Sequence, residues 1–209
     1  MVRNLVPDLI RIVDDDPSVC ASLTFILQIA GFDVVSYNSA DQFLEQATDL
    51  RPGCVLLDVK MPGKSGLELF CDIRRQGMLL PVIFLSGHGD IEMAVQALHD
   101  GAFDFLVKPA EPERLIDKVQ KAVEYGKKIR SQVQEQEEIK TLMARLPPSE
   151  LEVAQLMAKG LTVKAIAQLL KVSEQAIKAH RSSIYHKLDV INPVEVAGVV
   201  NDWLRSRKV

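Results

Sequence analysis

Short apolar runs alternate with helical patterns five times in the first 125 residues, and this alternation constrains the fold more than any other feature of the sequence. The runs at 9–13, 32–36, 53–57, 81–85 and 103–107 predict strands, and the segments 18–31, 39–47, 66–76, 90–99 and from 112 onward predict helices. Strands this apolar, with little alternation of polar residues, are covered by helices on both faces. The first half therefore predicts an α/β fold with a doubly wound, five-stranded parallel sheet.

Length and composition allow one large globular domain or two small ones, and exclude several other classes of protein. Of the 209 residues, 47% are hydrophobic and 25% are charged, which is ordinary for globular proteins. The chain has no apolar run near the roughly 18 residues that span a bilayer, and its start lacks the basic and apolar stretches of a secretory signal. We therefore expect a cytoplasmic protein that makes no membrane contact. Cys20, Cys54 and Cys71 are too few and too scattered for a disulfide framework, and predict small buried hydrophobic residues.

The net charge of −3 conceals opposite charges in the two halves of the chain. Residues 1–125 carry 11 basic and 19 acidic side chains, whereas the remaining residues carry 14 basic and 9 acidic ones. This contrast is typical of an acidic domain joined to one that meets a polyanion such as nucleic acid. A solvated surface with no partner explains either sign equally well, so charge alone leaves both interpretations open.

Polar residues follow four of the five predicted strands, which are Asp14, Asp15 and Asp16 after the first, Asp58 after the third, Ser86 after the fourth and Lys108 after the fifth. The carboxyl ends of parallel strands meet at one rim, where ligands bind in such sheets. Any one aspartate after a strand is more often a turn or a helix cap. Together, however, converging carboxylates repel one another unless a hard cation such as Mg²⁺ takes oxygen ligands from them. With a fixed positive charge and a hydroxyl nearby, the rim suits a phosphoryl group.

Asp14-Asp15, Asp58 in Leu-Leu-Asp-Val-Lys-Met-Pro-Gly, Ser86 and Lys108-Pro109 resemble the receiver domain of two-component response regulators, a flavodoxin-like fold, over residues 8–125. The resemblance implies that Asp58 accepts a phosphoryl group from a sensor histidine kinase. It also implies that Mg²⁺ is held by Asp14, Asp15, Asp58 and the backbone carbonyl of Lys60, whereas Asp16 is expected to be exposed. By the same resemblance Lys108 neutralises the phosphoryl group, Ser86 and Phe105 form a switch, and the Lys108–Pro109 bond is cis.

Residues 126–145 predict a helical linker between the two halves. Apolar residues at spacings of three and four run through the helix from Pro112 and resemble a heptad seam: Leu115, Val119, Ala122, Gly126, Ile129, Val133 and Gln136. Gly126 and Gln136 weaken this seam, and charged residues surround it. A coiled-coil homodimer and a solvated single helix both remain open.

The last third, 146–209, predicts a small all-α domain of four helices, at 150–160, 162–170, 173–188 and from 193. Its candidate core consists of Leu156, Leu161, Ile166, Leu169, Val172, Ile177, Ile184 and Leu188. A tight turn joins the second and third helices, as in a helix-turn-helix. Residues 159–188 contain six basic side chains and one acidic one, and a slim polar face of the third helix, around Lys178 and Ala179, is suited to a major groove.

The segment Gly160-Leu-Thr-Val-Lys-Ala-Ile-Ala, with Ile177-Lys-Ala-His-Arg and Lys187-Leu188, resembles the LuxR-type output domain of NarL/FixJ response regulators over residues 146–206. The resemblance implies that promoter double-stranded DNA is bound through Thr162, Lys164, Lys178, Ala179, His180, Arg181, Ser182 and Lys187. The approach to the first helix keeps only Glu150 of the family's usual pattern, and Ala176 replaces a usual threonine. Both departures concern local packing.

The combined pattern favours a transcription factor rather than an enzyme. In this interpretation phosphorylation of Asp58 controls DNA binding and favours a homodimer, with a receiver at 1–125, a linker at 126–145 and a DNA-binding domain at 146–209. One alternative is a phosphorylation-independent DNA-binding regulator whose receiver only dimerises. Another is an aspartate-based phosphohydrolase, although that chemistry usually needs a second acid two residues after the nucleophile, where this chain has Lys60.

Overall fold

The computed structural model describes residues 7–49, 51–87 and 91–207. It divides into two compact units, with the boundary between Arg130 and Ser131. Among the residues that the structure describes, no helix is long and apolar enough to cross a membrane.

The first unit is built on a five-stranded parallel sheet in the order β2-β1-β3-β4-β5. Its strands are β1 (Leu9–Val13), β2 (Asp33–Tyr37), β3 (Gly53–Asp58), β4 (Val82–Ser86) and β5 (Asp104–Val107), and its helices are α1 (Pro17–Ile29), α2 (Ala40–Gln46), α3 (Gly66–Arg75), α4 (Ile91–His99) and the start of α5 (Pro112–Ala144). The predicted doubly wound α/β fold is confirmed. Most element boundaries differ from the predicted ones by one or two residues, as expected where helix and strand ends fray. Residue 90, the predicted start of the fourth helix, lies outside the described residues.

Both faces of the sheet are buried, which explains why its strands read as continuous apolar runs. Strands β1, β3 and β4 are buried at every position. On one face Val55, Leu57 and Phe84 pack in a core that includes residues of α2, α3 and α4. On the other, Ile10 and Leu56 pack in a core with residues of α1 and α5. Removing this apolar area from water at about 25 cal/mol per Å² is the main force that holds the unit together.

Two side chains in the first unit differ in their burial from what the sequence suggested. Cys20 and Cys54 are buried as predicted, but the prediction for Cys71 is wrong, because it lies on the outward face of α3 and is exposed. Arg11 in β1 is only 1% exposed. Its guanidinium donates to the carbonyls of Leu9 at 3.1 Å and Arg51 at 3.2 Å, and also to that of Asp49, so the loop before β3 is tied to β1.

Helix α5 is one continuous helix of 33 residues, and the predicted linker is its C-terminal part. The first seam positions are already used inside the first unit, where Leu115, Val119 and Ala122 are fully buried. Residues 131–138 are exposed throughout and mostly polar. Pairing of this segment with a second copy stays a prediction.

The second unit consists of the end of α5 and four short helices, α6 (Pro148–Ala158), α7 (Val163–Leu170), α8 (Glu174–Leu188) and α9 (Pro193–Ser206). Hydroxyl and amide caps start three of them: Thr162 before α7, Ser173 before α8 and Asn192 before α9. Ile166, Ile177, Ile184 and Leu188 are buried as predicted, whereas Leu169 and Val172 are 58% and 46% exposed. The core prediction was wrong for these two because they lie on the outer side of the turn between α7 and α8.

Gly66, at the start of α3, provides a test of how closely this helix approaches β3. A Cβ atom there would lie 1.9 Å from the carbonyl oxygen of Asp58. Gly66→Ala should therefore lower the free energy of unfolding of the first unit by about 1–3 kcal/mol, measured by urea denaturation followed by circular dichroism. The control is Gly198→Ala on α9, which meets open space and should leave the first unit unchanged. An unaltered unfolding midpoint in Gly66→Ala would contradict the close approach.

Candidate functional site

Three carboxylates converge at the carboxyl end of the sheet, and we call Asp14, Asp15 and Asp58 the acidic cup. One carboxylate oxygen from each of the three lies within 4.8 Å of those of the other two. The convergence follows from strand pairing. Strands β1 and β3 are neighbours in parallel register, with Val13 beside Leu57, and the residue that follows each of these two is an aspartate. Asp14 is fully buried and Asp58 is 7% exposed, whereas Asp15 faces solvent.

Lys108, which follows β5, joins two members of the acidic cup. Its Nζ lies 2.6 Å from Asp14 Oδ2 and 2.8 Å from Asp58 Oδ1. Its peptide bond to Pro109 is cis, as expected. Asp16 has a different task, because its side chain accepts a hydrogen bond from the Ser18 amide at 2.8 Å and caps α1. The structure therefore separates Asp16, as an exposed cap, from the three carboxylates of the cup.

Burial and charge act in opposite directions on these groups. Burial raises the pKa of Asp58, Lys108 pulls it down, and the negative charges of Asp14 and Asp15 push it up again, with a net rise. Burial alone would lower the pKa of Lys108, but its close contacts with the Asp14 and Asp58 carboxylates outweigh burial and raise it. One ammonium thus faces three carboxylates, which leaves the cup with an excess of negative charge.

The donor set of the acidic cup fits a hard divalent cation. Asp14 Oδ2 is buried, and among the described residues it meets the Lys108 ammonium but accepts no hydrogen bond of ordinary geometry. Carboxylate oxygens in excess of the available positive charge are the ligands that Mg²⁺ prefers. The geometry therefore supports a metal site at these three residues. Lys60 lies two residues beyond Asp58 with an exposed side chain, and the role of its carbonyl stays a prediction.

The two predicted switch residues lie on the strands beside the cup. Ser86 is the last residue of β4, is fully buried, and its hydroxyl donates to the carbonyl of Leu106 at 3.4 Å. The Lys108 amide donates to the carbonyl of Ser86 at 2.8 Å, so the ends of β4 and β5 are held together. Phe105 on β5 is half-buried and packs against the core on the α3 and α4 side. Residues 88–90, which follow this strand end, lie outside the described residues.

In the second unit, α8 presents the polar face that the sequence predicted. Besides Glu174 at its first turn, its exposed positions are Gln175, Lys178, Ala179, Ser182 and His186, and its buried ones are Ile177, Ile184 and Leu188. The small side chains of Ala179 and Ser182 leave the middle of this face slim. An α-helix of this shape fits a major groove, with Lys178 free to reach base edges or phosphates.

The remaining predicted DNA contacts lie around this helix. Thr162 is exposed and caps α7 by accepting the Ala165 amide at 3.2 Å, and Lys164 is exposed on the same first turn. Arg181 is half-buried, with its guanidinium carbon 5.7 Å from the centroid of the Tyr185 ring. His180 is half-buried too. All of these side chains belong to α8 or to the start of α7.

Lys187 makes a contact inside the second unit that the sequence did not reveal. Its Nζ lies 2.8 Å from Glu150 Oε2, and the Ser183 hydroxyl donates to Glu150 Oε1 at 2.8 Å. Glu150 is 7% exposed, so these bonds tie α6 to α8 inside the unit. Burial raises the pKa of Glu150, but the hydrogen bonds from Lys187 and Ser183 outweigh it and bring the pKa below its usual 4.5. The only sequence signal was that Glu150 is the residue kept from the family's usual approach to this helix.

Family models match both units. Residues 10–120 match the response regulator receiver domain. Residues 144–200 match the bacterial regulatory proteins of the luxR family.

Several characterised proteins are similar to the chain over most of its length. The transcriptional regulatory protein TdiR of Thauera aromatica is 39% identical over 177 residues, which are 85% of this chain and 78% of TdiR. FixJ of Bradyrhizobium diazoefficiens is 34% identical over 199 residues, 92% of this chain and 97% of that protein. Among solved structures, the response regulator StyR has a TM-score of 0.86 at 34% identity and covers 94% of this chain and 99% of its own. Full-length FixJ from B. japonicum has a TM-score of 0.59 at 32% identity, with 95% and 98% covered.

The Glu150 contacts predict an acid-sensitive second unit. Because the pKa of Glu150 is lowered in the folded state, its ionised form stabilises the fold at neutral pH, and this contribution is lost as the pH falls below 4.5 through the lowered value. Glu150→Gln should cost about 1–3 kcal/mol of unfolding free energy at pH 7, with a smaller difference from the unchanged protein at acid pH.

The matched control is Glu152→Gln, because Glu152 lies on the same helix but is exposed. Urea denaturation of the full chain at several pH values, followed through Trp203 fluorescence in α9, measures both variants. Equal stability of the two variants at pH 7 would contradict a structural role for Glu150.

Proposed function

The chain belongs to the response regulators that join a receiver domain to a LuxR-type DNA-binding domain, and from this premise we propose that Asp58 is the phosphoacceptor through which a sensor histidine kinase controls its binding to promoter DNA. The observation that carries the proposal is the pair of contacts from Lys108 Nζ to Asp14 and Asp58 in the acidic cup. We assign the receiver to 1–125, the helical linker to 126–145 and the DNA-binding domain to 146–209. Because the partner is chromosomal DNA, we place the protein in the cytoplasm.

The proposed reaction is transfer of a phosphoryl group to the Asp58 carboxylate. An oxygen of Asp58 forms a bond to phosphorus while the bond from phosphorus to the imidazole nitrogen of the kinase phosphohistidine breaks, and the released imidazole keeps the electron pair and takes up a proton. Such transfers depend on positioning and on neutralising the phosphoryl oxygens rather than on further covalent chemistry. Lys108 is held beside Asp58 at 2.8 Å and provides fixed positive charge for this purpose.

The cation of the proposed site is Mg²⁺, held by Asp14, Asp15, Asp58 and the Lys60 carbonyl. When bound it supplies positive charge to the phosphoryl oxygens and offsets the repulsion among the three carboxylates. The chain's own contribution is the arrangement of oxygen donors within 4.8 Å of one another. Two of these carboxylates are buried, so they are desolvated before any cation arrives and present their oxygens in place.

We propose that Ser86 and Phe105 convert phosphorylation into a change of state. The Ser86 hydroxyl donates a hydrogen bond to the Leu106 carbonyl. A phosphoryl group on neighbouring Asp58 would offer this hydroxyl a stronger, charged acceptor. Moving Ser86 toward that acceptor would release its hydrogen bond to Leu106 on β5. This release would favour a different position of Phe105, which directly precedes Leu106 on that strand. The phosphoryl group thereby shifts a two-state equilibrium, which we expect to favour a homodimer and tighter DNA binding.

The site also bears on the two alternatives. A phosphohydrolase is not supported, because the relatives are transcriptional regulators and the chain carries a LuxR-type domain. A phosphorylation-independent regulator would have no need for a half-buried ammonium held between two buried carboxylates, because taking these charges out of water is costly. Phosphorylation control is therefore the function that the geometry supports best.

Asp58→Asn should abolish labelling of the protein by acetyl phosphate in the presence of Mg²⁺, because an amide oxygen is too poor a nucleophile to accept the phosphoryl group. A gel that retards phosphoproteins measures the labelled fraction. The matched control is Asp16→Asn, a neighbour of the cup that caps α1. Because asparagine caps helices as well as aspartate does, this variant should label normally. Unchanged labelling of Asp58→Asn would overturn the assignment.

Lys178→Ala should weaken binding to a promoter fragment found by genomic footprinting by about 1–3 kcal/mol if Lys178 contacts a base. Affinity for random DNA should fall much less, and binding of the unchanged protein should weaken steeply with salt. The control is Lys140→Ala, an exposed lysine of α5 paired with Glu137. Equal losses on promoter and random DNA, measured by fluorescence anisotropy, would reduce Lys178 to a phosphate contact.

A further inference from the structure

A cavity of about 290 Å³ opens at the end of the receiver sheet opposite the acidic cup. We call it the lower cavity. It lies at the starts of β4 and β5, beside α3 and α5, and its apolar lining includes Phe70, Ile73, Met78, Leu80, Phe103 and Tyr125. The phosphoacceptor chemistry uses none of these residues. The volume lies just below the range of about 300–1,000 Å³ that is typical of small-molecule sites, so an occupant would have the size of a single substituted ring.

Aromatic side chains form the wall of the lower cavity. The rings of Phe103 and Tyr125 are tilted against each other with centroids 5.3 Å apart. Phe70 is 4% exposed and fixed in the core, whereas Tyr125 is 49% exposed at the opening. A flat apolar group entering beside Tyr125 can pack against these rings in an offset or edge-to-face arrangement.

One charged side chain, Arg74, lines the lower cavity, and it is held in place. Its Nη1 donates to the carbonyl of Asp100 at 2.6 Å, and its guanidinium carbon lies 5.7 Å from the centroid of the Phe70 ring. Gly101 leaves room for the guanidinium in this place, because a Cβ atom at residue 101 would lie 2.0 Å from Arg74 Nη1. A guanidinium carries several donors in a planar fork, which suits bidentate recognition of a carboxylate.

From these contacts we propose that the lower cavity binds a small organic carboxylate with a flat apolar body. The apolar body packs against Phe103 and Tyr125, and the carboxylate accepts hydrogen bonds from Arg74. A fixed cation beside an aromatic wall favours an anion over its neutral analogue, because the carboxylate adds ion-pair attraction and a second acceptor oxygen to the hydrogen bonds from the guanidinium.

Titration of the full-length protein with sodium benzoate, followed by amide NMR, tests the proposal. Benzoate should bind saturably and shift the amide signals of Gly101 and Phe103. Benzamide, which has the same shape without the charge, should bind more weakly. Arg74→Leu should weaken benzoate about tenfold, the loss expected when the charged partner of the carboxylate is removed, and weaken benzamide by a smaller factor. Tyr125→Ala should weaken both compounds, because both lose the same ring contact.

The matched control is Arg75→Leu, the next residue of α3, which is exposed and pairs with Asp72 at 3.1 Å. This variant should bind benzoate as the unchanged protein does. Absence of saturable binding, or equal losses in Arg74→Leu and Arg75→Leu, would overturn the proposal. Circular dichroism confirms that the variants are folded. Because the titration uses no phosphodonor, its failure would leave the assignment of Asp58 untouched.

Discussion

The contacts of the Lys108 ammonium with Asp14 and Asp58 are the interaction on which the proposed function of the receiver depends. Lys108 Nζ lies within 2.8 Å of both carboxylates, and both are nearly inaccessible to water. Buried ion pairs contribute little net stability, because desolvation offsets most of their attraction. Their presence here therefore fits the proposed chemistry better than a role in folding, because the site holds negative oxygens and a positive charge in fixed positions that suit a phosphoryl group.

The fold places these groups by backbone geometry rather than by side-chain contacts. Parallel pairing of β1 with β3 brings Asp14 and Asp58 together at the ends of adjacent strands. Lys108 reaches them from the end of β5, whose position is fixed through β4 and the Ser86 carbonyl. The same strand carries Phe105. A change in the bonding of Ser86 would therefore act on β5 directly, and in the proposed function this is the route by which phosphorylation leaves the acidic cup.

Much of this arrangement could be predicted from the sequence, because its signals are local. Uninterrupted apolar runs predict buried parallel strands, and the residue after each run then falls at one rim, as Asp14, Asp58 and Lys108 do. The exposed face of α8 likewise follows from helical periodicity. Contacts between distant segments left no such signal. The Glu150–Lys187 pair and the burial of Arg11 depend on how elements pack, and the exposure of Cys71, Leu169 and Val172 depends on which side of a helix or turn meets a neighbour.

Fluorine NMR of the full-length protein with beryllofluoride, a mimic of the phosphoryl group, tests the central claim most directly. The account predicts a bound ¹⁹F signal that requires Mg²⁺, is lost in Asp58→Ala, and is weakened when Lys108 is replaced by alanine. A protein that gives no bound signal, or that gives the same signal after Asp58→Ala, would contradict the assignment of the acidic cup as the phosphoacceptor site.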